Sequence, residues 1–228
     1  MPVTATARMK ELKRMRKSHQ FAYVLLSQFA LIALYPLIGG TNRFRPGTFG
    51  IFAMAVFLAG LYQVTEERRV RHLGVMLCIL GASANVLAII DYWGPLLIVT
   101  GLCAIIYMAF VTGVILWKVL SSDRVTVETL YGAVSAYMFI AIVWGMSYSF
   151  VDLIAPGSFR YTYDAAKRLT WPDYSFFSVV TLTTIGYGDI VPIGGVKGLV
   201  MMEGIIGAMY PAVLIGRLLT LHARSDRS

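Results

Sequence analysis

Charged side chains are scarce in this chain: 12 Asp and Glu stand beside 20 Lys and Arg, and together they make up only 14% of 228 residues. A soluble domain is usually about a quarter charged, so this deficit, beside 57% hydrophobic residues, argues against a soluble globule. Cysteine is almost missing. Cys78 and Cys103 lie inside apolar runs and read as small buried thiols, with no visible partners for a disulfide or a metal. His19, His72 and His222 fall at the expected ends of apolar runs, too scattered to form a ligand set. No catalytic constellation, internal repeat or low-complexity segment occurs, which disfavours an enzyme or a receptor with a soluble domain.

What the chain has instead is long apolar runs, each close to the roughly 20 residues that a helix needs to cross about 30 Å of hydrocarbon. Six are expected: Phe21 to Leu37, Phe49 to Val64, His72 to Ile90, Leu96 to Leu120, Val127 to Leu153 and Val196 to Leu219. The second is the shortest and borrows Thr48 or Gln63 to reach both interfaces. The fold class is therefore an all-α membrane protein with six transmembrane helices.

The start, "MPVTATARMKELKRMRKSHQ", is basic and lacks a cleavage site after a short apolar core, so it reads as retained. Cationic flanks stay on the cytoplasmic side. Six spans with both termini inside put 14 of the Lys and Arg in and 6 out; the opposite orientation reverses the bias. A cell-membrane, multi-pass location with cytoplasmic N- and C-termini follows. The cations sit beside helix ends, so anionic lipid headgroups are better partners than nucleic acid.

Between the fifth and sixth runs lies "APGSFRYTYDAAKRLTWPDYSFFSVVTLTTIGYGDIVPIGG", too long for a hairpin turn. Thr170, Trp171, Pro172 and Asp173 form a helix-start signal, because Pro suits a first turn and Asp complements its positive end. Asp173 to Thr183 then runs apolar for about three turns, about half a bilayer at 1.5 Å per residue. A short helix that dips in and returns as extended chain fits that length. Open backbone at such depth is tolerated only inside protein or along a watery cavity, so "TTIGYG" is expected to line one. Its alternate glycines permit left-handed conformations that turn successive carbonyls to the same side.

Thr184-Ile185-Gly186-Tyr187-Gly188 resembles the selectivity filter of the potassium-channel family, with Ile where Val is usual. Thr183 before it, Asp189 after it, Pro192 three residues on, a short helix ahead and an apolar helix behind extend the resemblance over Val127 to Leu219. It implies that the carbonyls of Thr184, Ile185, Gly186 and Tyr187, with the Thr184 hydroxyl, form stacked K+ sites, and that Gly188 ends the filter at the outer mouth. One chain carries one filter strand and a ring needs four, so it also implies a homotetramer. K+ is then the permeant ion, and no other cofactor is expected.

Departures from the family pattern concern the filter's support. Phe176 and Phe177 stand where many relatives have indole donors, and Val180 stands where some have a carboxylate that couples to the Asp after the filter. The expectation is that packing of Phe176 and Phe177 supports the filter. Donors from Tyr174, Ser178 or Thr181 are the equal alternative.

In the last run, Gly207 and Pro211 mark an expected bend, with Gly207 close to the family's hinge glycine. Ile215 and Leu219 are candidates for an apolar gate, the alternative being plain packing against the fifth helix. Glu203 is the run's one acid. A hydrogen bond to Thr181 or Ser178 on the short helix is favoured over an ion-attracting or proton-sensing role.

Six spans with the pore last resemble the layout of voltage-gated potassium channels. That divides the chain into a basic segment (1–20), a voltage-sensor-like four-helix domain (21–120), a pore domain with a re-entrant helix (121–219) and a tail (220–228). The fourth run, "LLIVTGLCAIIYMAFVTGVILWKVL", has no arginine. Each charge moved through the field is worth about 2.3 kcal/mol per 100 mV, so a bundle without such charges is expected not to sense voltage. About nine residues follow Leu219, too few for a ligand-binding domain, which leaves pH, lipid, tension or a constitutive leak as the stimulus. The alternatives carried forward are a less selective monovalent cation channel on the same scaffold and a potassium-uptake transporter subunit.

Overall fold

The computed structural model describes residues 20–39, 68–90, 94–122 and 126–225. The expected second run (Phe49 to Val64), nearly all of the basic N-terminal segment and the last residues of the tail lie outside them. The described elements are α1 (Gln20–Gly39), α2 (Arg68–Ile90), α3 (Gly94–Leu120), α4 (Val127–Ile154), β1 (Phe159–Tyr161), α5 (Trp171–Leu182), β2 (Ile190–Pro192) and α6 (Lys197–Ser225). A single 3-10 turn, Gly194–Val196, leads into α6.

Among the described residues three stretches are long and apolar enough to cross a membrane: Gly101–Leu120, Val127–Ile154 and Gly194–Thr220. A helix suits them because it satisfies every backbone polar group within the segment, where lipid offers none. The start of α4 is fixed locally. The Thr126 side chain accepts from Thr129 N at 3.1 Å, and Glu128 lies in the first turn. Glu128 Oε2 also accepts from Phe21 N at 3.3 Å, satisfying an otherwise orphaned donor at the start of α1 and holding the two helix starts together.

Two apolar cores result. The first joins Val24 of α1, Cys78 of α2, Tyr107, Met108, Val111 and Ile115 of α3, and Ala133, Ala136 and Phe139 of α4. Gly132 permits that approach, since a Cβ there would meet Val119 at 3.0 Å and the Phe21 ring at 3.1 Å. Thus α1 and α3 both pack on α4 of their own chain. Arg217 of α6 reaches the same end of the assembly, donating to Ser122 O at 3.2 Å. The second core joins Tyr148 of α4, Phe159 and Tyr161 of β1, Tyr174 and Phe177 of α5, Ile190 of β2 and Val196.

The described residues are mostly helical, with one addition to the all-α expectation. β1 and β2 form an antiparallel two-stranded sheet with Phe159 opposite Pro192, Arg160 opposite Val191 and Tyr161 opposite Ile190. Strands of three residues are too short to show an alternating period, so the sequence carries little signal for them.

Candidate functional site

The site is built on α5. Its start is closed by Asp173, whose Oδ2 accepts from both Thr170 N and Thr170 Oγ1 at 2.6 Å, while Pro172 occupies the first turn. At the other end the chain folds back on the helix instead of leaving it. Thr184 N donates to Thr181 O at 3.0 Å, and the Val180 carbonyl accepts from Ile185 N at 2.9 Å and Gly186 N at 3.3 Å. Thr183 Oγ1 donates to Val179 O at 2.7 Å.

The next five residues are exposed on the single chain, and their backbone alternates in handedness. Thr184, Gly186 and Gly188 have φ of 60°, 61° and 76°, whereas Ile185 and Tyr187 between them do not have positive φ. For glycine this conformation is free of a Cβ penalty. For β-branched Thr184 it is an outlier that costs about 1–3 kcal/mol and persists only where the surroundings enforce it.

The loop's outer end is anchored by the small sheet. Thr162 Oγ1 donates to Gly188 O at 2.6 Å, Thr162 N donates to Asp189 O at 2.8 Å, and β2 then pairs with β1. Thr162 is missing from the sequence-derived site. Only the long-range pairing of β1 with β2 brings it there.

The two phenylalanines of α5 have different surroundings. Phe176 lies parallel to the Tyr187 ring, with centroids 6.2 Å apart and planes at 1°. Phe177 packs away from the loop, edge-on to Tyr148 at 5.5 Å and Phe159 at 5.4 Å. Tyr174 donates to Asp152 Oδ2 at 2.7 Å, and Asp152 Oδ1 accepts from Phe159 N at 3.2 Å, so α4, α5 and β1 meet at one carboxylate. The Val180 side chain is buried.

Behind the loop, α6 approaches the end of α5 at Gly207. A Cβ there would stand 1.9 Å from Leu182 O, so only glycine fits. Tyr137 of α4 donates to that same carbonyl at 2.8 Å, lies 3.4 Å from Gly207 O, and stacks on Tyr210 with centroids 5.2 Å apart. Contacts within a single turn of each helix therefore join α4, α5 and α6. α6 runs unbroken from Lys197 to Ser225 with Pro211 inside it, so the helix neither ends nor unwinds at the expected bend. Pro211, Ile215 and Leu219 are exposed on the single chain.

Glu203 lies one turn before Gly207 and is fully buried. Its carboxyl meets Ser178 of α5 through Oε1 and Tyr148 of α4 through Oε2. Tyr148 was not among the expected partners. A single tyrosine in an apolar run carries no sequence mark of pairing with an acid 55 residues away.

Residues 136–223 match the family model described as an ion channel. That segment starts inside α4, includes α5 and the alternating loop, and ends inside α6. Two relatives are both Protein LctB. The one from Bacillus caldotenax is 26% identical over 120 residues, covering 51% of this chain and 90% of its own length. The one from Geobacillus stearothermophilus is 25% identical over 122 residues, covering 49% of this chain and 91% of its own length. No solved structure gives a significant match. The match supports an ion-channel family for this chain, and with three apolar helices of spanning length it supports a membrane protein.

Proposed function

We propose that four copies of this chain form a passive, potassium-selective channel whose filter is Thr184 to Gly188. The observation that carries the reading is the alternation of left-handed φ at Thr184, Gly186 and Gly188 with negative φ between them. Such alternation aims consecutive carbonyls toward one side, and a ring of four rows replaces the water around a dehydrated cation. The five residues are exposed on one chain, as a strand facing an axis shared by four chains would be. Tyr187 and both glycines of the motif are intact, which favours potassium selectivity over the less selective reading. The chain carries one such motif, which speaks against a transporter subunit built from several. An ion-channel domain also implies a non-enzymatic role.

In this reading the first helices form a voltage-sensor-like bundle packed on its own pore domain, and α3 carries no arginine to move in the field. The purified chain in planar bilayers with unequal K+ and Na+ is expected to reverse near the potassium equilibrium potential, without steep voltage activation. Reversal midway between the two ions' potentials would replace this reading with the less selective one.

Filter support rests on Phe176 more than on Phe177, because Phe176 alone of the two stacks on Tyr187. Phe176→Trp keeps an aromatic face and adds an indole donor, so the decay of current during sustained conduction is expected to change several-fold. Phe177→Trp serves as the comparison for a ring packed elsewhere. Unchanged decay in Phe176→Trp counts against support through that stacking.

A further inference from the structure

The carboxyl of Glu203 sits in a chain of close oxygen contacts whose hydrogens can be counted. Ser178 Oγ is 2.7 Å from Ala141 O and in closer contact with Glu203 Oε1. Tyr148 Oη is 2.5 Å from Glu203 Oε2. Three oxygen pairs therefore sit at hydrogen-bond distance, and each needs one hydrogen between its members, because two lone pairs facing each other so closely repel. The hydroxyls of Ser178 and Tyr148 supply one hydrogen each. The Ala141 carbonyl supplies none. The third must come from the carboxyl.

We propose that Glu203 is held as a neutral carboxylic acid whose own hydrogen completes the link between α5, α4 and α6. In this arrangement Ser178 donates to Ala141 O, Glu203 donates through Oε1 to Ser178 Oγ, and Tyr148 donates to Oε2. Each of the three close oxygen pairs then has one hydrogen between its members. A carboxylate there would force Ser178 to choose between Ala141 O and Glu203 Oε1, leaving one close pair of oxygens with no hydrogen between them. It would also place a charge at a site with no exposure, where the two side chains that hydrogen-bond it are uncharged hydroxyls.

Among the described residues no cation compensates the acid. α4 faces it with Tyr148 and, a few turns away, with Tyr137, whose hydroxyl is committed to Leu182 O. α5 faces it with Ser178, while its Tyr174 is turned to Asp152. The hydrogen bonds of the Glu203 carboxyl go to α4 and α5, and not to the Thr184 to Gly188 loop. It is a positioning residue that fixes the short helix from which that loop hangs.

Infrared difference spectra of the full chain in lipid nanodiscs test the proton itself. At neutral pH the wild-type minus Glu203→Gln spectrum is expected to show the C=O stretch of a protonated carboxylic acid, shifted in D2O. Tyr148→Phe should keep that band and move it to higher frequency, because the C=O loses its donor. A pair of carboxylate bands in place of the acid band would overturn the assignment. This arm needs no channel activity, so it stands or falls apart from the proposed function.

The second arm rests on that function and reads potassium flux in liposomes against pH. The neutral acid is the linking form, so its contribution is complete at low pH and disappears as rising pH removes the proton. Wild-type flux should fall at alkaline pH while Glu203→Gln, neutral throughout and able both to donate and to accept, stays flat. Glu203→Ala strands the Tyr148 hydroxyl and cuts the link from Ser178 to α6, and should lose roughly tenfold or more at every pH. Identical alkaline profiles for wild type and Glu203→Gln would show that this proton does not position the filter.

Discussion

Gly207→Ala is expected to yield little folded protein, with more than about 3 kcal/mol lost. In a helix interior alanine is better than glycine by about 1 kcal/mol, so a position free of contacts would be stabilised by the same change. Contact reverses the sign. The added Cβ would stand 1.9 Å from Leu182 O, 2.7 Å from Leu182 C and 2.9 Å from Leu182 Cα. All three obstacles are backbone, and the carbonyl concerned is already held by Tyr137, so no rotamer change relieves them. Gly204→Ala, one turn earlier on α6, is the matched comparison, because a Cβ there meets nothing of its own chain within 4 Å. Thermal unfolding and size-exclusion profiles of the two variants decide the matter. A Gly207→Ala protein as stable as Gly204→Ala would return this glycine to the role of a hinge.

That prediction also shows where the sequence was informative and where it was silent. The start of α5 was legible because Thr170, Pro172 and Asp173 act locally, within one turn. The alternating loop was legible because glycine at 186 and 188 is itself the physical requirement. At Gly207 the sequence offered a glycine ahead of a proline and suggested flexibility, yet the structure has a close approach of two helices. A glycine that bends and a glycine that lets a backbone approach look alike until the neighbour is known. Tyr148, Thr162 and the β1–β2 pairing were equally out of reach, since each acts across tens of residues. Ser178 illustrates a middle case. Its place one or two turns before the loop suggested a donor facing α6, while its third contact, to Ala141 O, needed the position of α4.

Gly186→Ala should separate folding from conduction. Space is no obstacle, because a Cβ at 186 meets nothing of its own chain within 4 Å, but φ there is +61°. Alanine in that region costs about 1–2 kcal/mol, which a membrane protein of this size survives if the loop holds its shape. If the loop relaxes to avoid the cost, one carbonyl turns away from its row, and in a ring of four chains the same site loses all its dipoles together. The expected outcome is a folded protein, less stable by about 1–2 kcal/mol at most, whose barium-sensitive potassium flux in liposomes falls to background. Gly195→Ala is the comparison beyond the loop: its Cβ also meets nothing within 4 Å, and its φ is not positive. It should conduct like the wild type. Wild-type potassium flux and selectivity in Gly186→Ala would remove the left-handed backbone at 186, and with it the filter reading, as the basis of conduction.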